Sequence, residues 1–217
     1  MENIITPLMM SLRISIFATL LSFVIGIFLS WWFAFKKNKL TKFLSIIVTI
    51  PLVIPPTVLG YYLILLLGRN SFIGQWFEAM TRGPIIFTWK AAVIAAMIAS
   101  LPLLISPIQA AFESINKDTV DAAELDGSSH FQLLVYIIIP LSYKGILAGL
   151  VLGFARAMGE FGATLMVAGN IPGKTQTLSI AIYDAVQANR MADAHLMVII
   201  LTSATIFFLY IIHRWFK

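Results

Sequence analysis

Cysteine is absent from the 217 residues, so the chain can build neither a disulfide framework nor a thiolate metal site. Charge is scarce as well. Asp, Glu, Lys and Arg together make up 12% of the residues, against about 25% in ordinary soluble domains. Hydrophobic residues take 59% instead. A soluble fold of this length could not hide so much apolar surface, whereas a bilayer removes the need. No stretch is polar enough to be a separate soluble unit, so residues 1–217 are expected to form a single transmembrane domain. A catalytic constellation is lacking too. His130, His195 and His213 are scattered and are expected to be structural or interfacial, with no cofactor and no metal held by the chain. The formal net charge of +5 belongs with basic membrane loops and not with nucleic-acid binding.

What is present is apolar helix. Five segments can be read, at about Leu8 to Phe35, Phe43 to Leu67, Lys90 to Phe112, Lys144 to Ala168, and His195 to Ile212. Each can span about 30 Å of hydrocarbon at 1.5 Å per residue, the last only just. The expected fold is therefore an all-α polytopic membrane protein of about five transmembrane helices in contact with lipid. The first apolar run is too long for a signal-peptide core and passes into Lys36-Lys37, so it is expected to remain as a span.

Orientation follows from the shortest loop. Lys36-Lys37-Asn38-Lys39-Leu40-Thr41-Lys42 carries four lysines and no acid, and the positive-inside rule makes it cytoplasmic. Alternation then puts the N-terminus and the 68–89 and 169–194 loops outside. The 113–143 loop and the tail His213-Arg214-Trp215-Phe216-Lys217 fall in the cytoplasm, so the chain is expected as a multi-pass protein of a cell membrane. Trp31, Trp32, Trp89 and Trp215 fall near the predicted interfaces.

Some segments are more than anchors. The second contains Pro51-Leu52-Val53-Ile54-Pro55-Pro56, and the third contains Pro102 and Pro107. Proline removes a donor and breaks or kinks a helix, and the freed carbonyls must face protein or a water-filled cavity. A structural kink and a transport path both satisfy this. In the fourth segment Gly145, Gly149, Gly153 and Ala157 recur every four residues, a stripe that lets another helix approach closely. Arg156 and Glu160 follow at i and i+4 as an intramembrane ion pair, which either locks helices together or lies on the solute path.

The most informative stretch lies between the third and fourth segments. Asp121-Ala122-Ala123-Glu124-Leu125-Asp126-Gly127 is followed, nine residues on, by Ile137-Ile138-Ile139-Pro140. Residues 118–126 are rich in helix formers, and Gly127 suits a C-terminal cap at positive φ. Five acids (Glu113, Asp118, Asp121, Glu124, Asp126) face only Lys117 here, so the region is either simply solvated or complementary to a basic partner. The pattern resembles the EAA loop of ABC importer permeases, with Asp121 in place of the family Glu and Ile139 in place of Leu. That resemblance implies a type I importer permease fold, used as a homodimer, with two ATP-binding subunits beneath it and an external oxyanion-binding protein. It also implies that Asp121, Ala122, Ala123, Glu124, Asp126, Gly127 and Pro140 belong to a coupling element docked on the ATPase, where the ATP and magnesium are held.

A second resemblance narrows the substrate. Residues 154–177, together with Pro51-Leu52-Val53-Ile54-Pro55-Pro56-Thr57-Val58-Leu59-Gly60-Tyr61, look like the molybdate ABC transporter permeases. Sulfate, thiosulfate and tungstate permeases are near relatives and remain alternatives, as does an ion-coupled carrier of another class. Candidates for the solute path are Pro55, Pro56, Thr57, Arg156, Glu160 and Asn170. The stretch Ala168-Gly169-Asn170-Ile171-Pro172-Gly173-Lys174-Thr175 mimics a phosphate-binding loop, but it follows a membrane helix instead of a strand and is expected to be an ordinary turn.

Overall fold

A computed structural model describes residues 2–215. Phe216 and Lys217 of the tail lie outside them, as do the side chains of His213 and Trp215. Every regular element among the described residues is helical.

Two helices cross the molecule without interruption, α1 (Glu2–Phe35) and α5 (Trp89–Glu113). They pack along most of their length, and the reason lies in α1. Ser11, Ser15, Ala18, Ser22, Gly26 and Ser30 fall on one buried face, and their small size brings the two backbones together. The hydroxyls then reach across. Ser22 donates to the Met97 carbonyl at 3.3 Å and Ser30 to the Ile105 carbonyl at 3.4 Å.

These contacts explain one departure from expectation. Pro102 and Pro107 do not break α5, which continues through both. Packed neighbours hold the rod on both sides, and the α1 serines tie it down at the Met97 and Ile105 carbonyls close to the gaps, so the helix carries both prolines.

The second apolar segment does break. α2 (Lys39–Val53) starts from an Asn38–Thr41 capping box and ends at Ile54. Ile54 and Pro55 are both extended, at ψ 146° and 139°, because each precedes a proline. Two successive extended residues turn α3 (Pro56–Leu67) away by 119°. This segment is therefore a bent pair and not one straight span.

The remaining elements follow the same logic. α4 (Phe72–Thr81) and α11 (Leu178–Gln187) occupy stretches read from sequence as outer loops. The 113–143 stretch is mostly helical as well. It holds α6 (Lys117–Leu125), α7 (His130–Leu133), a π-helical turn (Leu134–Ile138) and α8 (Ile139–Leu141). Leu133, Leu134 and Ile138 bury against Leu104, Ile108 and Phe112, so this stretch leans on the bundle.

An 81° bend at Ser142 leads into α9 (Tyr143–Met158). The fourth segment was expected to run unbroken to Ala168, but it stops at Gly159 and restarts as α10 (Gly162–Ala168). α12 (Met191–Trp215) closes the fold, its apolar part being Met191–Phe207. Among the described residues two helices are long and apolar enough to cross a membrane unbroken, and two more candidates are bent pairs. The second pair joins residues 130–141 to α9 and not α9 to α10, while Met191–Phe207 is shorter.

The glycine stripe does what its spacing implied. Gly145 lies against Pro107 and Ala111, Gly149 against Leu104 and Ile108, and Gly153 against Leu104, which seats α9 on α5. The loops sort into two ends. Trp31, Trp32 and Lys36 line one cavity with Lys117, Asp121, Glu124 and His130, so the lysine-rich loop and α6 share an end. Thr6 and Pro7 meet Pro172, Gly173, Gln176 and Arg190 at the other. There the Arg13 guanidinium stacks 3.9 Å from the Trp89 ring centre, and Phe17 lies 5.6 Å from the same ring.

Candidate functional site

The two helix breaks meet. A side chain on Gly162 would approach Pro56 Cβ to 2.9 Å and the Thr57 nitrogen to 3.4 Å, so the start of α10 lies directly on the start of α3. Farther along, a side chain on Gly60 would strike Met166 Cβ at 2.5 Å. Leu59, Leu63, Ala163 and Val167 complete the buried seam between the two short helices. Gly60 and Gly162 were not singled out from the sequence, because neither belongs to a repeating stripe; only the fold gives each its partner.

Glu160 holds the second break. Its side chain is 1% exposed. Oε1 accepts the Ala163 amide at 2.9 Å, satisfying one of the free donors at the start of α10. Oε2 lies 2.7 Å from Arg156 Nη1, an ion pair by distance, but it accepts no aligned hydrogen bond. The spacing of four residues brings the two charges together only because α9 extends to Met158 and the chain then turns inward at Gly159. Arg156 is less enclosed, at 27% exposure. The pair therefore has a buried acid and a partly open base.

Around these breaks the surface is open. Pro55, Pro56, Thr57, Val58 and Gly159 are exposed, and so is Thr49 on α2. No side chain caps the start of α3. Of the path candidates, the fold thus gathers Pro55, Pro56, Thr57, Arg156 and Glu160 at one place. Asn170 stands apart, past the far end of α10. It accepts from Gln176 at 2.8 Å and donates to Asp184 at 3.3 Å, and Asp184 in turn pairs with Arg190 at 2.8 Å.

The neighbouring 169–176 turn is no phosphate cradle. The amides of Lys174, Thr175 and Gln176 all point inward to the Ile171 carbonyl, at 3.1, 3.0 and 3.2 Å. Thr175 is fully buried, and its hydroxyl accepts from the Ile171 amide.

At the opposite end α6 forms a short helix capped at both termini. The Asn116 side chain accepts from Asp118, a cap the sequence reading did not assign. Gly127 has φ +87°, as its place after the helix required. Its amide donates to the Glu124 carbonyl at 3.0 Å, and the Ser128 amide donates to that of Ala123 at 3.1 Å, the paired bonds of a Schellman cap.

Val120 buries, and Ala123 leans on the same apolar core. Asp121, Ala122, Glu124, Asp126 and Gly127 are exposed. Ala123 is half-buried against that core, whereas its neighbour Ala122 is open. Leu125 was overlooked. At 88% exposure it is a large apolar side chain with no cover. Pro140 sits in α8, two residues before the Ser142 bend.

A capped, exposed helix projecting from a helical membrane core invites comparison with known proteins. Residues 22–217 match the model of the binding-protein-dependent transport system inner membrane component. The chain belongs to this family.

Relatives of the permease include three called molybdenum transport system permease protein ModB. That of Haemophilus influenzae is 39% identical, over 84% of this chain and 80% of its own length. That of Escherichia coli K12 is 37% identical over 82% and 78%, and that of Azotobacter vinelandii 35% identical over 89% and 86%. Among solved structures, the permease superposes on the MetNI methionine ABC transporter in an inward-facing form with a TM-score of 0.74 at 16% identity, covering 98% of this chain and 94% of that one. A bacterial alginate ABC transporter gives 0.75 at 17%, covering 100% and 81%. The fold is that of type I ABC importer membrane subunits. The permease is an integral membrane transport subunit and not an enzyme; in this family ATP hydrolysis takes place on a separate subunit.

Proposed function

We propose that this permease carries molybdate into the cell as the membrane half of an ATP-driven importer. The observation that supports this most is the pairing of an exposed, capped α6 with relatives that bear the molybdenum transport name at 35–39% identity. In this reading two copies of the chain enclose the path, and two ATP-binding subunits seat on the cytoplasmic end. An external binding protein delivers the oxyanion to the opposite end. ATP and magnesium stay on the ATPase subunits. The lysine-rich 36–42 loop, α6 and the C-terminus are cytoplasmic, and the N-terminus is outside.

The docking surface would be Asp121, Ala122, Glu124, Leu125 and Asp126, closed off by Gly127. Leu125 supplies the apolar anchor that a protein contact centres on, and the four acids of 118–126 supply complementarity to a basic cleft. Closure of the ATPase pair would push α6 against the bundle through Val120 and Ala123, and Pro140 and the Ser142 bend would pass that motion to α9.

The test is uptake of labelled molybdate into vesicles holding the permease and its ATPase, with binding protein supplied outside. Uptake should require ATP and resist collapse of ion gradients. Excess tungstate should compete, whereas sulfate should compete poorly. Uptake that follows an ion gradient without ATP would mean a secondary carrier. Stronger competition by sulfate than by tungstate would move the assignment to a sulfate permease. Leu125→Asp should leave membrane insertion intact while the ATPase no longer co-purifies with the permease.

A further inference from the structure

We propose that Arg156, fixed in place by Glu160, is a charged waypoint for the transported oxyanion inside the membrane. This rests on the reading of the protein as an oxyanion permease, and adds the group that meets the ion between the two ends.

Glu160 is enclosed and doubly committed, to the Ala163 amide through Oε1 and to Arg156 through Oε2. Arg156 is committed once. Among the described residues its ion pair with Glu160 is the one polar contact of its side chain, and more than a quarter of that side chain is open. A guanidinium has five N–H donors in a fixed fork, so one edge can be held by a carboxylate while another stays free. The buried partner thus aims the charge and leaves the outer surface positive.

The location suits a passage. Two breaks, Ile54–Pro55 and Gly159–Phe161, lie against each other through Pro56 and Gly162. Irregular backbone at membrane depth is tolerated where it meets protein or lines a watery cavity. Pro55, Pro56, Thr57 and Gly159 are exposed on this protomer, so that is what their surface must meet.

The chemistry suits the cargo. A tetrahedral oxyanion such as molybdate carries two negative charges and only acceptors, and guanidinium matches it with charge-assisted hydrogen bonds. An uncompensated Arg in a medium of low dielectric would hold a dianion too tightly to release it. Glu160 lowers that attraction by neutralising the pair, while its burial keeps the carboxylate away from the ion. Two copies would present two such edges.

The decisive variant is the double substitution Arg156→Gln with Glu160→Gln, which removes both charges together and leaves neither partner uncompensated. It is reconstituted with the ATPase and binding protein beside Arg156→Lys and the wild type. Assembly, ATP hydrolysis and uptake of molybdate, tungstate and sulfate are measured on each.

The expected result for the double variant is normal assembly and ATP hydrolysis, with uptake down by about 10-fold or more, as loss of a hydrogen bond to a charged group predicts. Arg156→Lys should recover part of that uptake. Wild-type uptake by the double variant overturns the waypoint, and so does failure of the double variant to assemble, since the pair would then be structural. No gain from Arg156→Lys also overturns it. A wild type that prefers sulfate would change the substrate reading alone, and the same variants then decide the waypoint with that ion. A wild type that carries none of the three oxyanions would end both.

Discussion

The two helix breaks at the centre of this permease arise by opposite means. Between α2 and α3 the backbone itself forbids a helix, because Ile54 and Pro55 each precede a proline and each is held extended. Between α9 and α10 no proline intervenes. There a side chain makes the break, with Glu160 turned inward to take the Ala163 amide and the Arg156 guanidinium. A break made by the backbone is local and survives changes around it. One made by a buried charge depends on its partner. α5 supplies a third case, since Pro102 and Pro107 stand five residues apart, each alone, and the rod continues between packed neighbours.

The largest expected effect breaks the comparison at its weaker side. Glu160→Gln leaves Arg156 without a counter-charge, and losing one partner of a buried pair costs roughly 3–5 kcal/mol. The amount of assembled permease in the membrane should fall sharply, as read by size-exclusion of detergent extracts. Wild-type yield would show that the second break does not rest on its ion pair.

Next in size is a wedge where the two outgoing helices meet. Gly60→Leu drives a side chain into Met166 and Ala163. Overpacking of this kind costs about 1–3 kcal/mol. The melting temperature of purified permease should drop, and replacing Met166 by Ala in the same chain should restore part of it. No rescue would mean that the α3–α10 seam is looser than its contacts imply.

A smaller effect belongs to Gly127. Nothing lies within 4 Å of an added Cβ there, so Gly127→Ala is strained only by its φ of +87°. The cost is about 1 kcal/mol and is confined to the end of α6. Amide exchange of residues 123–128 should quicken while the rest of the protein is unchanged. Exchange that quickens across α9 as well would tie the cap to the bundle more closely than the structure indicates.

The least change is expected from Pro56→Ala. Pro55 still holds Ile54 extended, so the first break should persist at a cost under about 1 kcal/mol. Uptake should stay within about five-fold of wild type, since about 1 kcal/mol is worth about a factor of five. Loss of transport with normal assembly would show that both prolines are needed and that this break too is less local than it looks.

Much of this was legible from residues alone, and the physical reason is that those signals are local. Apolar length announces a segment that crosses a bilayer. The four-residue glycine spacing on α9 announces a close helix contact. The helix formers of 118–126, ended by Gly127, announce a capped helix with positive φ. Pro55-Pro56 announces a break by forcing two consecutive residues out of the helical region. Each of these depends on a few neighbouring residues and on backbone sterics, so no knowledge of distant contacts is needed.

Tertiary structure decided the rest. Whether Pro102 and Pro107 break α5 depends on what surrounds it, and the serines of α1 that donate to its carbonyls lie some 75 residues away in the chain. The break at Gly159 depends on a carboxylate preferring an amide and a guanidinium in a dry interior to solvent it cannot reach. Ala123 and Leu125 differ only in which side of α6 meets the bundle, and that was fixed by Val120 finding an apolar core. A sequence lists the groups that need partners, but only the packed molecule determines which partners are near enough to be used.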